Sequence, residues 1–461
     1  MTSDFTTSKT ERRKQGKALR EKCPRASQAE WKPRSKSVDV INLLQESDAD
    51  RIADLIPVRY QRMSVSPFTF FRGTAIIQAR DLAHASVSGI TVQACGDCHM
   101  ANFGGFASPE RTLVFDINDF DETFPGPWEW DVKRLGASLI LAARDRCFSK
   151  TSADESVRSM AASYREHMAE FAEMRVLDTW YAQVTFDAIK EYFRKDPDIA
   201  ARLAKQQKKA FSQTSEAVFP KLTAVVDGLR KITDKPPVIY HHQEFTRDFD
   251  KQQVKFIEEY KDSLQAERRH LFERYRWHDS AIKVVGVGSV GTRCALTLFL
   301  ADDDDPLFLQ VKEARRSVLE SPRAKSRYAH QGVRVVEGQR VMQAASDIFL
   351  GWTRSPNHDY YVRQFRDMKV SADVETFRPS THVAYGRLCG WTLARAHAKP
   401  GGAAMISGYL GSNEQFDDAL AKYSQAYADQ AERDFKTFQA AIRSERLSTE
   451  PAKGAGLEFL V

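Results

Sequence analysis

Apolar residues between Val38 and Met63 recur at Val40, Leu43, Leu44, Ile52, Leu55 and Ile56, a spacing that predicts helices closing at Pro57. Residues 76–84 predict another helix, residues 90–94 a short strand, and Leu113, Val114 and Phe115 a second one. Helical spacing resumes in VKRLGASLILAARD after Asp131 and persists through most of residues 152–275, a mainly α region whose Phe, Met and Trp stripes read as core. Within it, KKAFSQTSEAVFPKLTAVVDG and DKPPVIYHHQEF carry breakers and predict a loop. At Ala281 the period changes. AIKVVGVGSVGTRCALTLFLADDDDPLFLQVKEA reads as strand, Gly-rich turn, strand, acidic Pro-containing turn, strand. A helix is predicted over residues 327–345 and a strand leading to a linker in DYYVRQFRDMK.

Composition adds bounds. The 461 residues allow one large or two modest domains with ample core, and the apolar and charged fractions are those of a globular protein. The net charge of +6 is concentrated in residues 1–37, which hold eleven Lys or Arg against four acids and show no hydrophobic period long enough for a buried helix. A solvated face or a helix packed on the body explains this segment better than nucleic acid does. No apolar run suits a membrane span or a signal peptide, so a cytoplasmic protein without membrane insertion is expected. Six scattered cysteines do not form a disulfide framework. Cys95-Gly-Asp-Cys98-His99 matches the haem-attachment pattern and holds half a zinc site, but neither a secretion signal nor a second Cys/His pair accompanies it.

The candidate chemistry lies in CGDCHMANFGGFASPERTLVFDINDFDETFPGPWEWD. Asp97 and Asn102 stand five residues apart, the spacing of the base and the metal-binding Asn in a kinase catalytic loop. A hairpin through the following strand would bring Asp119 beside Asn102. An amide carbonyl and a carboxylate are hard oxygen ligands suited to Mg²⁺, and a second carboxylate could accept a hydroxyl proton. Asp, Asn and Gly also make ordinary turns, so the order GDxHxxN, strand, DFDE and Trp130-Asp131 carries the argument. Gly286, Gly288 and Gly291 spell GxGxxG, with Ser289 inside it. A dinucleotide fingerprint needs a helix after the third Gly; TRCALTLFLA is short and alternating, which predicts the phosphate-covering hairpin of a kinase instead. Lys312 ends the next strand, where the phosphate-gripping Lys of V-A-I-K stands, and Glu337 is the expected ion-pair partner, with Glu313 and Glu320 as alternatives. Arg72 in FFRG could meet a phosphate or a carboxylate, or form a surface ion pair. His241 and His242 would diverge in a strand and are not expected to share a metal.

GDCHMAN, NDFDE and WDVKRL resemble the HGDxHxxN, IDF and DLA series of aminoglycoside phosphotransferase-like kinases. RMSVSPFTFFRG, CGDCHMANFGGF, INDFDETFPGPWEWDVKRLGAS, EGQRVMQAASDIFLGW and YADQAERD resemble the bacterial domain of unknown function 2252 across nearly the whole chain. The resemblance implies Asp97 as catalytic base, Asn102 and Asp119 as Mg²⁺ ligands, and Asp131 as a support of the loop; Cys95 stands where the phosphotransferases have His. Because the Gly loop and Lys312 follow the catalytic loop instead of preceding it, the expected fold is a circularly permuted, two-lobed protein-kinase-like α/β (α+β) fold. Its segments would be a basic 1–37, a helical lobe 38–275, a small antiparallel β lobe 276–370, and helices 371–461 returning to the large lobe. The expected function is ATP- and Mg²⁺-dependent phosphoryl transfer to a hydroxyl of a small molecule or protein. A pseudokinase-like nucleotide-binding module, an AMP-transferring enzyme on the same fold, and a nicotinamide oxidoreductase are the competing readings.

Overall fold

In the computed structural model the apolar run after Asp131 lies within one helix, Trp128–Asp145, buried on nearly every face. That burial follows from position. Lys150–Glu173, Pro379–Ala398 and Gln415–Arg443 surround it, so its side chains at all angles meet other helices rather than water. The structure describes residues 7–450 apart from 36–37, 237, 242, 285, 303–304 and 322–323, and omits the side chains of 243–252. His242 and two aspartates of the ADDDDP turn lie outside the described residues.

The strands, in chain order, are β1 (Thr91–Ala94), β2 (Phe103–Ala107), β3 (Leu113–Ile117), β4 (Phe124–Pro127), β5 (Thr223–Val226), β6 (Leu229–Ile232), β7 (Ile239–Tyr240), β8 (Arg276–Lys283), β9 (Cys294–Leu300), β10 (Pro306–Glu313), β11 (Gly351–Arg354), β12 (Asp359–Gln364) and β13 (Val370–Ser371). Six of them form one antiparallel sheet in the order β11-β12-β10-β9-β8-β7. The helix Gln331–Met342 connects β10 to β11. β9 is buried at all seven positions, which its continuous apolar sequence CALTLFL requires. One face carries the helices Gln243–Ser263 and Ala266–Phe272, and the other the helix Ser215–Leu222. Both the edge strand β7 and the covering helix Gln243–Ser263 therefore come from residues numbered before 276.

The main sheet is antiparallel throughout and most of the helices pack together apart from it, so the architecture is α+β. Two small sheets carry the loops between them: β1 pairs with β4, and β13-β2-β3 ties the chain leaving β12 to the hairpin that follows residue 102. Among the described residues no helix is long and apolar enough to cross a membrane.

Two local expectations change and one open choice is narrowed. Pro57 opens the helix Ile56–Met63 instead of closing one, because a residue without N–H is at home in the first turn, where helix donors lack partners. VVDG forms the hairpin β5–β6; Asp227 and Gly228 both take positive φ, +53° and +77°, as a primed two-residue turn demands. The basic start contains the helix Lys9–Lys22, capped by the Ser8 side chain. It lies on the helix Ala403–Leu410 so closely that a Cβ at Gly16 would stand 2.0 Å from the Met405 carbonyl oxygen.

Candidate functional site

Residues 95–102 leave β1 and turn back into β2. The loop is held from the first turn of Trp128–Asp145, where Asp131 accepts the Cys95 N–H at 2.6 Å and the Gly96 N–H at 2.9 Å. His397, in the last turn of Pro379–Ala398, stands 3.2 Å from the same carboxylate and 2.8 Å from the Tyr164 hydroxyl. Gly96 has φ +87°, and a Cβ there would lie 2.2 Å from the Glu122 carbonyl oxygen, so only glycine lets the loop press onto the NDFDE turn.

Asp97 projects from this loop. Its Oδ1 accepts from Arg134 Nε at 2.6 Å, and Arg134 is itself fixed by Gln78 and the Phe71 carbonyl, both at 2.9 Å. Oδ2 has no such clamp; His99 Nε2 is 4.0 Å away. Burial lowers the His99 pKa to about 4, so that ring is neutral at pH 7. Asn102 sits beside Asp119. Its Nδ2 donates to the Asp119 carbonyl at 2.9 Å and reaches the Asp97 carbonyl at 3.3 Å, which leaves Oδ1 as the acceptor of the amide.

The NDFDE turn faces the sheet. Lys312 Nζ, from β10, donates to Asp119 Oδ1 at 2.9 Å and to Asp121 Oδ2 at 2.8 Å. Tyr361 lies directly opposite Lys312 in the β10–β12 register and donates to Asp121 Oδ1 at 2.7 Å. Two residues on, and so on the same face, Arg363 stands 3.9 Å from Asp119. Burial works against ionisation of Asp119, but the charges of Lys312 and Arg363 outweigh it and hold the carboxyl well below its usual range. Asp119 and Asp121 nevertheless keep 39% and 30% of their side-chain surface exposed, so a ligand can reach them.

Glu337 does not pair with Lys312. It accepts from Arg340 one turn along its own helix at 3.0 Å. The residue of that helix facing the turn is Arg334, which donates to the carbonyls of Thr123, Asp121 and Arg315 at 2.6–2.8 Å. The carboxylates of NDFDE already supply the negative charge that a lysine on β10 needs, so the helix contributes a donor instead. Glu313 meets Arg293 and Glu320 meets Arg316; neither reaches Lys312.

The residues between β8 and β9 complete the site. The strands flanking Gly286, Gly288, Ser289 and Gly291 are antiparallel, and no helix follows Gly291, so the dinucleotide fingerprint lacks its anion-binding helix terminus. Ser289 Oγ lies 3.4 Å from Asp121 Oδ2, bringing the loop over the carboxylates. A cleft of about 790 Å³ opens between loop, sheet and NDFDE turn, lined among others by Gly286, Ser289, Asp119, Lys312, Arg363 and Lys369. Lys369 belongs to the linker after β12; burial and the charge of Arg363 lower its pKa to about 7. Asp97 and Asn102 do not line this cleft. They lie behind Asp119.

Of the residues named from the sequence, Asp119, Gly286, Ser289 and Lys312 line the cleft, Asp97, Asn102, Gly288 and Gly291 do not, and Asp121, Arg134, Tyr361, Arg363 and Lys369 were missed. The period-two spacing of Tyr361 and Arg363 in DYYVRQ was the available signal for two of them. His241 is engaged elsewhere, between Asp234 at 2.6 Å and Asp279 at 3.1 Å. Cys95 and Cys98 are buried free thiols. Among the described residues no group of three or more His, Cys, Asp or Glu is gathered for a metal, whereas a nucleotide-bound Mg²⁺ needs only one or two protein carboxylates.

Comparison with curated proteins and with solved structures returns no match. Residues 51–441 match the family described as uncharacterized protein conserved in bacteria (DUF2252), and the chain belongs to that family.

Proposed function

We propose that the protein is an ATP- and Mg²⁺-dependent phosphotransferase acting on a hydroxyl of a small molecule or protein, with a circularly permuted protein-kinase-like fold. The observation that carries this reading is the meeting of Lys312, from the third strand of an antiparallel series, with Asp119 and Asp121 under a glycine-rich hairpin. Strand, glycine loop, strand, strand with Lys and then a helix is the order of a kinase small lobe. The permutation is supported by the end of Pro379–Ala398, whose His397 touches Asp131 beneath the catalytic loop although the two are 266 residues apart.

The residues suit the ligands. Lys312 and Arg363 present positive charge to a polyphosphate, and Asn102 Oδ1 with the Asp119 carboxylate are hard donors of the kind Mg²⁺ takes together with phosphates. When bound, the metal supplies charge neutralisation. Lys312 exchanges its carboxylate partners for phosphate oxygens, the backbone N–H groups of the glycine loop cover them, and the linker bearing Lys369 borders the base. Arg134 fixes Asp97 through Oδ1 so that Oδ2 can take the acceptor proton.

Calorimetric titration with ATP, with and without Mg²⁺, tests the reading. Binding should require Mg²⁺ and vanish in Asp119→Ala, whereas Asp97→Ala should retain binding and lose transfer. An added AMP mass on the product would assign AMP transfer. No ATP binding to folded protein removes the proposal.

A further inference from the structure

The glycine-rich loop is roofed by the chain that precedes the catalytic loop. Ile52 N donates to the Gly291 carbonyl and Arg62 to the Gly286 carbonyl, each at 2.8 Å, and Arg51 donates to the Val290 carbonyl. At the loop's middle, a Cβ on Gly288 would stand 3.2 Å from the Arg72 carbonyl oxygen. On the other side, the Phe71 carbonyl takes a hydrogen bond from Arg134, the guanidinium that holds Asp97. Arg72, at the end of the helix Pro67–Arg72, is therefore fixed between the loop expected to cover phosphates and the loop that carries Asp97.

Its side chain is unlike its neighbours. Arg51, Arg59, Arg62 and Arg134 all donate hydrogen bonds. The Arg72 guanidinium makes no hydrogen bond or ion pair among the described residues, and its Nε is buried without a partner. Its surroundings are the Phe68 ring, with centroid 5.9 Å away, and the charge of Asp97. The residue is half-buried with its Nε shut off from water, and a partly desolvated cation of this kind gains from an incoming anion. The other cations nearby are already engaged, Arg134 by Asp97 Oδ1, Gln78 and the Phe71 carbonyl and Lys312 by Asp119 and Asp121, which leaves Arg72 as the guanidinium near Asp97 without such partners.

We propose that Arg72 forms an anion-binding site for the phosphoryl group in transit between nucleotide and acceptor; this rests on the phosphotransferase reading above. The acceptor oxygen bonds to the γ-phosphorus as the bond from that phosphorus to the bridging oxygen breaks. The acceptor proton passes to Asp97 Oδ2, and the bridging electron pair leaves with ADP. Arg72 donates to the equatorial oxygens of the group between them, where the negative charge is spread.

The test is calorimetric titration of the full chain with Mg²⁺-ADP, alone and with aluminium fluoride, which imitates the transferring group. Wild type should bind the fluoride-containing complex on the order of 100-fold more tightly than Mg²⁺-ADP, and Arg72→Gln should keep Mg²⁺-ADP affinity within about threefold while losing most of that gain. Arg72→Lys, which keeps the charge but not the planar fork, should lose part of the gain and carries the test if the Gln variant does not fold. An undiminished gain in the variants overturns the inference, as does wild type that binds Mg²⁺-ADP without any gain. Wild type that binds no Mg²⁺-ADP removes the proposed function, and this inference with it.

Discussion

The segment DINDFDE contains three aspartates within six residues, and the fold treats them in two ways. Asp116 is fully buried. Both its oxygens meet Arg395, at 2.8 and 2.9 Å, and it also accepts the backbone N–H groups of Ile117 and Ala344. Asp119, which lines the cleft, and Asp121 share Lys312 and Tyr361, with about a third of each side chain exposed. The first carboxylate has permanent partners and no access, which is the arrangement of a structural brace. The other two have access and partners that a phosphate could displace. Asp131 belongs with Asp116: it is buried and spent on the Cys95 and Gly96 N–H groups. The difference shows that role follows from exposure and exchangeability of partners, since the residue type is the same in all four.

The sharpest way to break this comparison is to remove each brace. Asp116→Ala strands the Arg395 guanidinium in the core and should destabilise the fold by about 3–5 kcal/mol in urea unfolding. Loss comparable to a surface mutation would mean Asp116 is not a brace. Asp131→Asn keeps one acceptor oxygen but leaves one buried loop N–H unmatched, so a smaller loss of about 1–3 kcal/mol is expected. Hydrogen exchange at Cys95 and Gly96 should quicken in the same variant. Unchanged exchange there would take Asp131 out of the loop's support.

The smallest effect concerns pH. Lys312 and Arg363 hold the folded-state pKa of Asp119 below its unfolded value, so Asp119 contributes stability above about pH 4 and loses it as the pH falls through the folded-state value. Lys312→Met removes the main attraction. The stability difference between wild type and Lys312→Met should therefore shrink as pH falls below about 4, measured by thermal unfolding at matched ionic strength. A difference that widens toward acid would contradict the ion pair.

Much of the sheet was legible because apolar alternation, an acidic turn and GxGxxG mark strand ends locally. The turn of residues 95–102 was legible for the same reason, since the spacing of Asp97 and Asn102 is a property of consecutive residues. Partners across the cleft were not. Lys312 meets Asp119 at a separation of 193 residues, and nothing in the run FLQVKEA says whether its cation will face Glu337 or the NDFDE turn. Arg134 was hidden in an apolar helix run, where a buried guanidinium reads as an exposed one until the helix is packed on all sides. For the basic start the sequence left a solvated face and a packed helix both open, because the helix Lys9–Lys22 meets the body through Gly16, Leu19 and the Arg20 guanidinium, which leaves no hydrophobic period to find.

The central claim is that Asp119, unlike Asp116, serves a nucleotide and its metal. Electron paramagnetic resonance of Mn²⁺, substituting for Mg²⁺, can count bound metal in the presence and absence of ATP for wild type and Asp119→Asn. The account predicts an ATP-dependent bound-Mn²⁺ signal in wild type that is lost in a folded Asp119→Asn protein. The same signal in both proteins, or none in wild type, would contradict it.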